Sequence, residues 1–403
     1  MRPRPRFGLR SLLVVAALVL TATVAGMPAT AVPATGRVAA AAGAERADAG
    51  GAGRHGRIRV LGEKTISKGR AIEGMPIGEL SGIDYDARND LWYLISDDSE
   101  EAPARFYTAD LALDAHGLSS VRFTDVTAVL RTDGTPFPPL ASVDPEVADP
   151  ESIRLDPRSR TVYWSSEGKR EVPTDGSPPA LVDPWVRQMT LGGQHLREFG
   201  QPAMFAMSAA DEGPRRNAVF EGLTLTADRQ QVVASLEGPL YGDGPLPTPA
   251  AGAVSRLTWY DKGSGAPVRQ VAYPIDQIPA VPDPHTAGAD NGVVELLPID
   301  RHRLLVLERA FISGVGNSIR LYEIDVRGAT DTLADPSLAD GDYRPVRKRL
   351  VVDLADLDLS HIDNVEGMTW GPRLRSGERS LVLVSDDNFN APQVNQIIAL
   401  ALR

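Results

Sequence analysis

Acidic residues recur along this 403-residue chain at a spacing that could assemble a metal site. Glu151, Glu221, Glu295 and Glu366 each enter a short apolar stretch, and Ser81 holds the same place in a first copy. Their separations are 70, 70, 74 and 71 residues. A second apolar stretch follows each and ends in acid: Asp97 and Asp98, Glu167, Glu237, Glu308, then Asp386 and Asp387. A third opens on Arg105, Arg187, Arg256 and Arg320, with Gln396 breaking the series. Carboxylates crowded at a water-poor mouth repel one another, and a hard divalent cation relieves that repulsion. Calcium suits such a site because it takes many oxygen ligands and tolerates loose geometry. Arginines beside it would grip a phosphate group bidentately. Together they could polarise a phosphoester and acidify a bound water. The metal candidates are all the acids just named. The substrate candidates are Arg105, Arg256, Arg309, Arg320 and Asn388, and no catalytic residue stands out. The same pattern also fits a blade-to-blade brace of buried Glu–Arg pairs. Positions that depart from the repeat are therefore the most informative: Ser81, the doubled Asp97-Asp98, Asp386-Asp387-Asn388, Arg309 beside Glu308, and Lys169 after Glu167.

Such residues must be held by a repeated unit. Alternating apolar residues with β-branched and aromatic enrichment predict strands throughout, and no stretch shows a long helical period. Each repeat reads as three strands, with a plausible fourth at Ser120–Val126, Leu196–Phe199, Val268–Tyr273 and Val346–Leu354. The fifth repeat ends after three, and Arg57–Gly62 can supply the missing one. The expected fold is an all-β propeller of four-stranded blades, five by repeat count with a sixth possible. Strands from the two termini would share a blade and close the ring. In such a blade the first strand is innermost. Its entry lies at the same end as the loop from the second strand to the third, so the acids should gather at one mouth. The Pro/Asp-rich connections 132–150, 171–184 and 240–252 are candidate rims over it.

Composition narrows the alternatives. There is no cysteine, which removes disulfides and thiolate metal sites. The six histidines show no metal-ligand spacing, so zinc is not expected. No Gly-x-Ser-x-Gly elbow supports a serine triad. Arg2, Arg4, Arg6 and Arg10 precede an apolar run from Leu12 to Ala25, and Ala29-Thr30-Ala31 fits a cleavage site. Residues 1–31 are thus expected to be a Sec-type signal peptide without a lipobox. Residues 32–56 would form a disordered Ala/Gly-rich leader, and residues 57–403 the folded domain. Cleavage would move the formal net charge from -11 to -15. That acidity argues against nucleic acid and anionic membranes as partners and leaves a small phosphorylated substrate. A secreted, extracellular monomer is expected.

The ordered pieces also resemble a known family, the phytase-like or "esterase-like activity of phytase" domain of secreted bacterial proteins. They are Gly82-Ile83-Asp84-Tyr85-Asp86 with Ser96-Asp97-Asp98, Pro150-Glu151-Ser152 with Ser166-Glu167-Gly168, and Phe220-Glu221-Gly222 with Leu236-Glu237-Gly238. Glu295-Leu296-Leu297 with Leu307-Glu308-Arg309 and Asn364-Val365-Glu366-Gly367 with Ser385-Asp386-Asp387-Asn388 complete the set. The resemblance covers about residues 60–403. It implies a β-propeller with many Glu and Asp residues and a phosphoesterase or phosphodiesterase activity. The competing readings are a non-enzymatic extracellular binding propeller and a calcium-dependent lactonase or esterase.

Overall fold

The computed structural model describes residues 58–98, 102–142, 144–286 and 288–403. The expected signal peptide and leader lie outside the described residues. Five four-stranded antiparallel sheets form the blades of a propeller, and no sixth four-stranded sheet occurs among the described residues. The inner strands are Leu80–Asp86, Pro150–Asp156, Phe220–Leu225, Gly292–Pro298 and Asn364–Arg373, in blades one to five. They pack on one another in cyclic order, the fifth returning to the first. The second strands are Leu91–Ser96, Thr161–Ser166, Gln231–Leu236, Arg303–Ile312 and Arg379–Asp386. The outer strand of blade five is Ile58–Ile66, which pairs antiparallel with the C-terminal strand Asn395–Leu402. This pairing closes the ring and covers an edge that would otherwise template association. A 3-10 helix spans Leu354–Asp356, with the Asp353 side chain accepting from the Ala355 N–H.

Strand alternation explains how the blades hold together. In Leu91–Ser96, Trp92 and Leu94 face blade five, whereas Tyr93 and Ile95 face blade two. Successive side chains of a strand point to opposite faces, so one buried strand feeds two neighbouring cores. The interface of blades two and three uses Tyr163, Phe199, Phe220 and Tyr260 in the same way. Blades three and four meet through Trp259, Tyr273, Leu304 and Ile324, and blades four and five through Leu305, Leu321, Leu381 and Ile398. Five apolar interfaces therefore fix the blades radially, and the beginnings of the inner strands converge on one end of the channel.

Every inner strand carries a register irregularity within its first few residues: Leu80/Gly82, Pro150/Ile153, Phe220/Leu223, Val293/Glu295 and Val365/Gly367. A β-bulge re-aims a side chain and increases local twist. The inserted position is Ser81, Glu151, Glu221, Val294 and Glu366 in turn. The glycine that follows in three blades has a steric cause. A Cβ on Gly82 would lie 2.9 Å from Glu151 O, on Gly222 2.9 Å from Glu295 Cα, and on Gly367 2.8 Å from Ser81 O. The Glu-Gly pairing thus aims a carboxylate at the mouth and lets the next blade approach.

Candidate metal centre at the channel mouth

Three columns of residues meet at this mouth. The bulge column gives Ser81, Glu151, Glu221, Val294 and Glu366. The residue after the end of strand two gives Asp97, Glu167 and Glu237 in blades one to three. Strand register places Arg309 of blade four opposite Gly292 and Asp386 of blade five opposite Asn364 at the same level. Two residues before the bulge stand Glu79, Asp149, Val219, Gly292 and Asn364. Backbone bonds lock the outer two columns together: Asp97 N donates to Glu79 O at 3.0 Å and Glu167 N to Asp149 O at 3.1 Å.

The result is a contiguous group of carboxylates. Oxygens of Asp97, Glu366 and Asp386 lie within 4.8 Å of one another, as do those of Asp149, Glu151 and Glu167, and those of Glu167, Glu221 and Glu237. Glu167 belongs to two of these triads. Burial is the first cause of raised pKa values throughout, and neighbouring carboxylates add to it. Asp97, Glu151, Glu167 and Glu221 are held well above the usual range. Glu366 is pushed up to about 8 by burial and then by Asp386. Glu79 also reaches about 8, from burial and then Asp386. Glu237 reaches about 7, burial being opposed by Arg309. Asp386 reaches about 6, with hydrogen bonds from Asn388 and Asn364 opposing burial.

Side chains and backbone N–H groups of the described residues satisfy some of these oxygens. Ser81 Oγ donates to Glu151 Oε2 at 2.9 Å, and Val219 N to Glu167 Oε1 at 2.9 Å. Asn364 Nδ2 spans Glu366 at 2.9 Å and Asp386 at 3.0 Å. Arg309 reaches Glu237 at 3.1 Å, Asp290 at 3.4 Å and Glu366 at 3.5 Å. Burial disfavours its charge, but these carboxylates outweigh that and raise its pKa. Among the described residues nothing donates a hydrogen bond to the buried Asp97 Oδ1. A hard cation fits this donor set: oxygen ligands only, mutually repelling, with an orphaned carboxylate oxygen among them. A small cavity of about 50 Å³ borders the mouth, lined by Asp149, Glu167, Lys169 and Arg216 among others.

The remaining sequence candidates lie elsewhere. Glu295 sits one residue beyond the bulge of blade four, and a one-residue displacement turns a side chain to the other face. It points into the channel and pairs with Arg154 at 2.5 Å, while Leu223 N and Leu296 N donate to it at 3.1 and 2.8 Å. Arg154 also donates to the carbonyls of Ile83, Met368 and Leu296, tying four blades across the channel. Glu308 faces the blade interior, against Lys348, Tyr273 and Asn291.

Three arginines are braces within their own blades. Arg105 pairs with buried Asp98 at 2.8 Å. Arg256 holds Asp243 bidentately at 2.7 and 2.6 Å, both groups fully buried. Arg320 pairs with Asp353 at 3.0 Å. Asp387 is buried at the edge of the cluster and accepts from Glu79 N at 3.0 Å. Asn388 is exposed in left-handed backbone, and its N–H donates to Asp386 Oδ1 at 2.8 Å. Of the four candidate arginines, Arg309 alone has ion pairs with the mouth acids Glu237 and Glu366.

Glu79, Asp149 and Arg216 were not among the sequence candidates. The first two stand two residues before Ser81 and Glu151, a shared column the sequence does display. Arg216 lies shortly before the inner strand of blade three and carried no comparable signal.

No curated protein matches the chain. Solved structures are similar at low identity. One is a protein of unknown function from Dyadobacter fermentans (9% identity, 86% of this chain and 99% of that one covered, TM-score 0.40). Another is a β-1,3-galactosidase with galactodeoxynojirimycin (8%, 84% and 94%, TM-score 0.43). A third is a gluconolactonase from Xanthomonas campestris (9%, 85% and 97%, TM-score 0.33). The profile of the phytase-like family, described as "esterase-like activity of phytase", matches residues 75–389, and the chain belongs to that family.

Proposed function

We propose that the acidic mouth holds divalent cations, calcium being the best fit, and that the protein hydrolyses phosphoesters there. The observation that carries this reading is the set of three buried or half-buried carboxylate triads with a guanidinium, Arg309, in register among them. So many acids would exclude an anionic substrate unless cations offset them. When bound, such ions supply Lewis acidity toward a phosphoryl oxygen. Glu151, Glu167, Glu221, Glu237, Glu366, Asp97, Asp149 and Asp386 would hold them. Arg309 would bind the phosphate as a charge-assisted donor. Among the described residues the cations at the mouth are few: Arg309 in the ring, with Lys169, Arg170 and Arg216 at its edge. This favours a substrate with one or two phosphate groups over a highly phosphorylated one.

Turnover of a phosphomonoester, a phosphodiester, phytate and a lactone, each with calcium and with chelator, tests the reading. Calcium-dependent release from a mono- or diester is expected. Arg309→Gln at saturating calcium should lower kcat/KM by roughly ten- to hundredfold, the loss of a charge-assisted contact worth ~1.5–3 kcal/mol. Turnover of the lactone alone, or of nothing in the set, would sink the phosphoester assignment. Secretion belongs to the same proposal. Expression with residues 1–31 and N-terminal sequencing of the exported product tests it, and retention of the full-length chain inside the cell would contradict it.

A further inference from the structure

The opposite end of the propeller has a different character. There the inner strands finish, and a cleft of about 650 Å³ opens between blades four and five. That volume lies within the roughly 300–1,000 Å³ usual for small-molecule sites. One wall is apolar, made by Ile58, Leu305, Leu402 and Trp370 among others. The rim is rich in arginine, and most of it is neutralised. Arg303 pairs with Glu323 at 3.3 Å and Asp300 at 2.7 Å, and Arg349 with Glu323 at 2.9 Å. Arg403 and Arg59 share Glu378 at 2.9 and 3.1 Å.

Two arginines stand apart. Arg373 and Arg379 are direct cross-strand partners in the hairpin joining the first two strands of blade five. Among the described residues neither has a carboxylate partner, and Glu378 in the intervening turn is already engaged by Arg59 and Arg403. Like charges directly opposite in an antiparallel pair destabilise it. Burial and then the charge of Arg373 lower the pKa of Arg379. Arg379 also lies over the Trp370 ring, 3.5 Å from its centroid, and the indole is fixed by donating to Pro298 O at 2.8 Å. The fold thus retains an unneutralised pair of cations on a rigid aromatic base at the lip of an apolar cleft. A neighbouring cavity of about 700 Å³ at the channel's lower end shares Trp370, Arg373 and Arg379 with it.

We propose that this cleft binds a small amphiphilic organic anion, its carboxylate or phosphate head between Arg373 and Arg379 and its apolar portion along the Trp370 wall. Two guanidiniums suit an oxyanion head. The apolar wall distinguishes the ligand from a bare inorganic ion. The site stands independently of the acidic mouth.

Calorimetric titration of the full chain tests it, using octyl phosphate, octanoate, inorganic phosphate and octyl glucoside below their micelle concentrations. Saturable binding of octyl phosphate or octanoate is expected with calcium or with chelator, and the stronger of the two identifies the head group. Inorganic phosphate and octyl glucoside should each bind at least about tenfold more weakly than the better octyl anion. The double variant Arg373→Gln, Arg379→Gln should weaken the octyl anions by about tenfold or more and leave calcium binding unchanged. Its melting temperature without ligand should hold or rise, because a repulsive pair has been removed. The inference is overturned by any of four results: no saturable binding of either octyl anion, equal binding of octyl glucoside or inorganic phosphate, undiminished affinity in the double variant, or a lower melting temperature for that variant.

Discussion

Arg309 occupies in blade four the level that Asp97, Glu167, Glu237 and Asp386 occupy in the others, and Val294 occupies the bulge position where three blades place glutamate. Blade four therefore interrupts the ring of acids and supplies a cation in place of a carboxylate. A brace repeated for registry would have no reason to break at one blade, whereas a site that handles an anion needs such asymmetry. Glu366 links both sides, lying in one triad with Asp97 and Asp386 and 3.5 Å from Arg309. Its carboxyl is pushed up to about 8, so in metal-free protein at about pH 9 it bears a buried charge against its neighbours. Glu366→Gln should then raise the melting temperature in chelator and weaken calcium binding by about tenfold or more. Differential scanning fluorimetry across a calcium titration reads both effects, and a variant that is destabilised without metal yet binds calcium normally would refute the ligand role.

At the scale of strands and blades, acids and arginines divide into two populations that look alike in the sequence. Arg105, Arg256 and Arg320 are held by Asp98, Asp243 and Asp353 of their own blades. For the fully buried Arg256–Asp243 pair, removing one partner leaves an uncompensated charge and costs about 3–5 kcal/mol. Arg256→Met alone should thus be strongly destabilising in chemical denaturation, and adding Asp243→Leu should restore most of the loss. Folded double variant should keep wild-type kcat/KM; a loss there would return Arg256 to the substrate site.

The propeller was legible because the inner-strand motif recurs near every 70 residues and its apolar alternation is strong. The closing partner of Asn395–Leu402 was legible because the fifth repeat lacks a strand. The site was only partly legible. Glu295 shares its residue type with the ring, but its place one step beyond the bulge depends on pairing with Arg303–Ile312. Asp243 lies in the 240–252 connection, whose path over Arg256 no periodicity encodes.

For the whole molecule, the buried carboxylates make stability depend on pH in an unusual direction. Their native values exceed the ordinary value near 4.5, as for Glu366 and Glu79 at about 8 and Glu237 at about 7. Between the unfolded and native values the folded state holds more protons than the unfolded state. Stability therefore falls as pH rises through that window. Metal-free protein should be more stable to denaturant near pH 5.5 than near pH 8.5, and saturating calcium should flatten or reverse the slope. A metal-free protein that gains stability from pH 5.5 to 8.5 would contradict the burial and mutual repulsion of these acids. The lower end carries its unneutralised arginines on a separate cleft, so the two ends of the channel present opposite charge.

The central claim, that the mouth is a cation site, is tested most directly by anomalous diffraction from a crystal soaked in manganese, a hard ion visible in place of calcium. The account predicts an anomalous peak among Asp97, Glu366 and Asp386 or between the two triads that share Glu167, lost in Glu366→Gln for the first and in Glu167→Gln for the second. A mouth without any peak at saturating metal would contradict it.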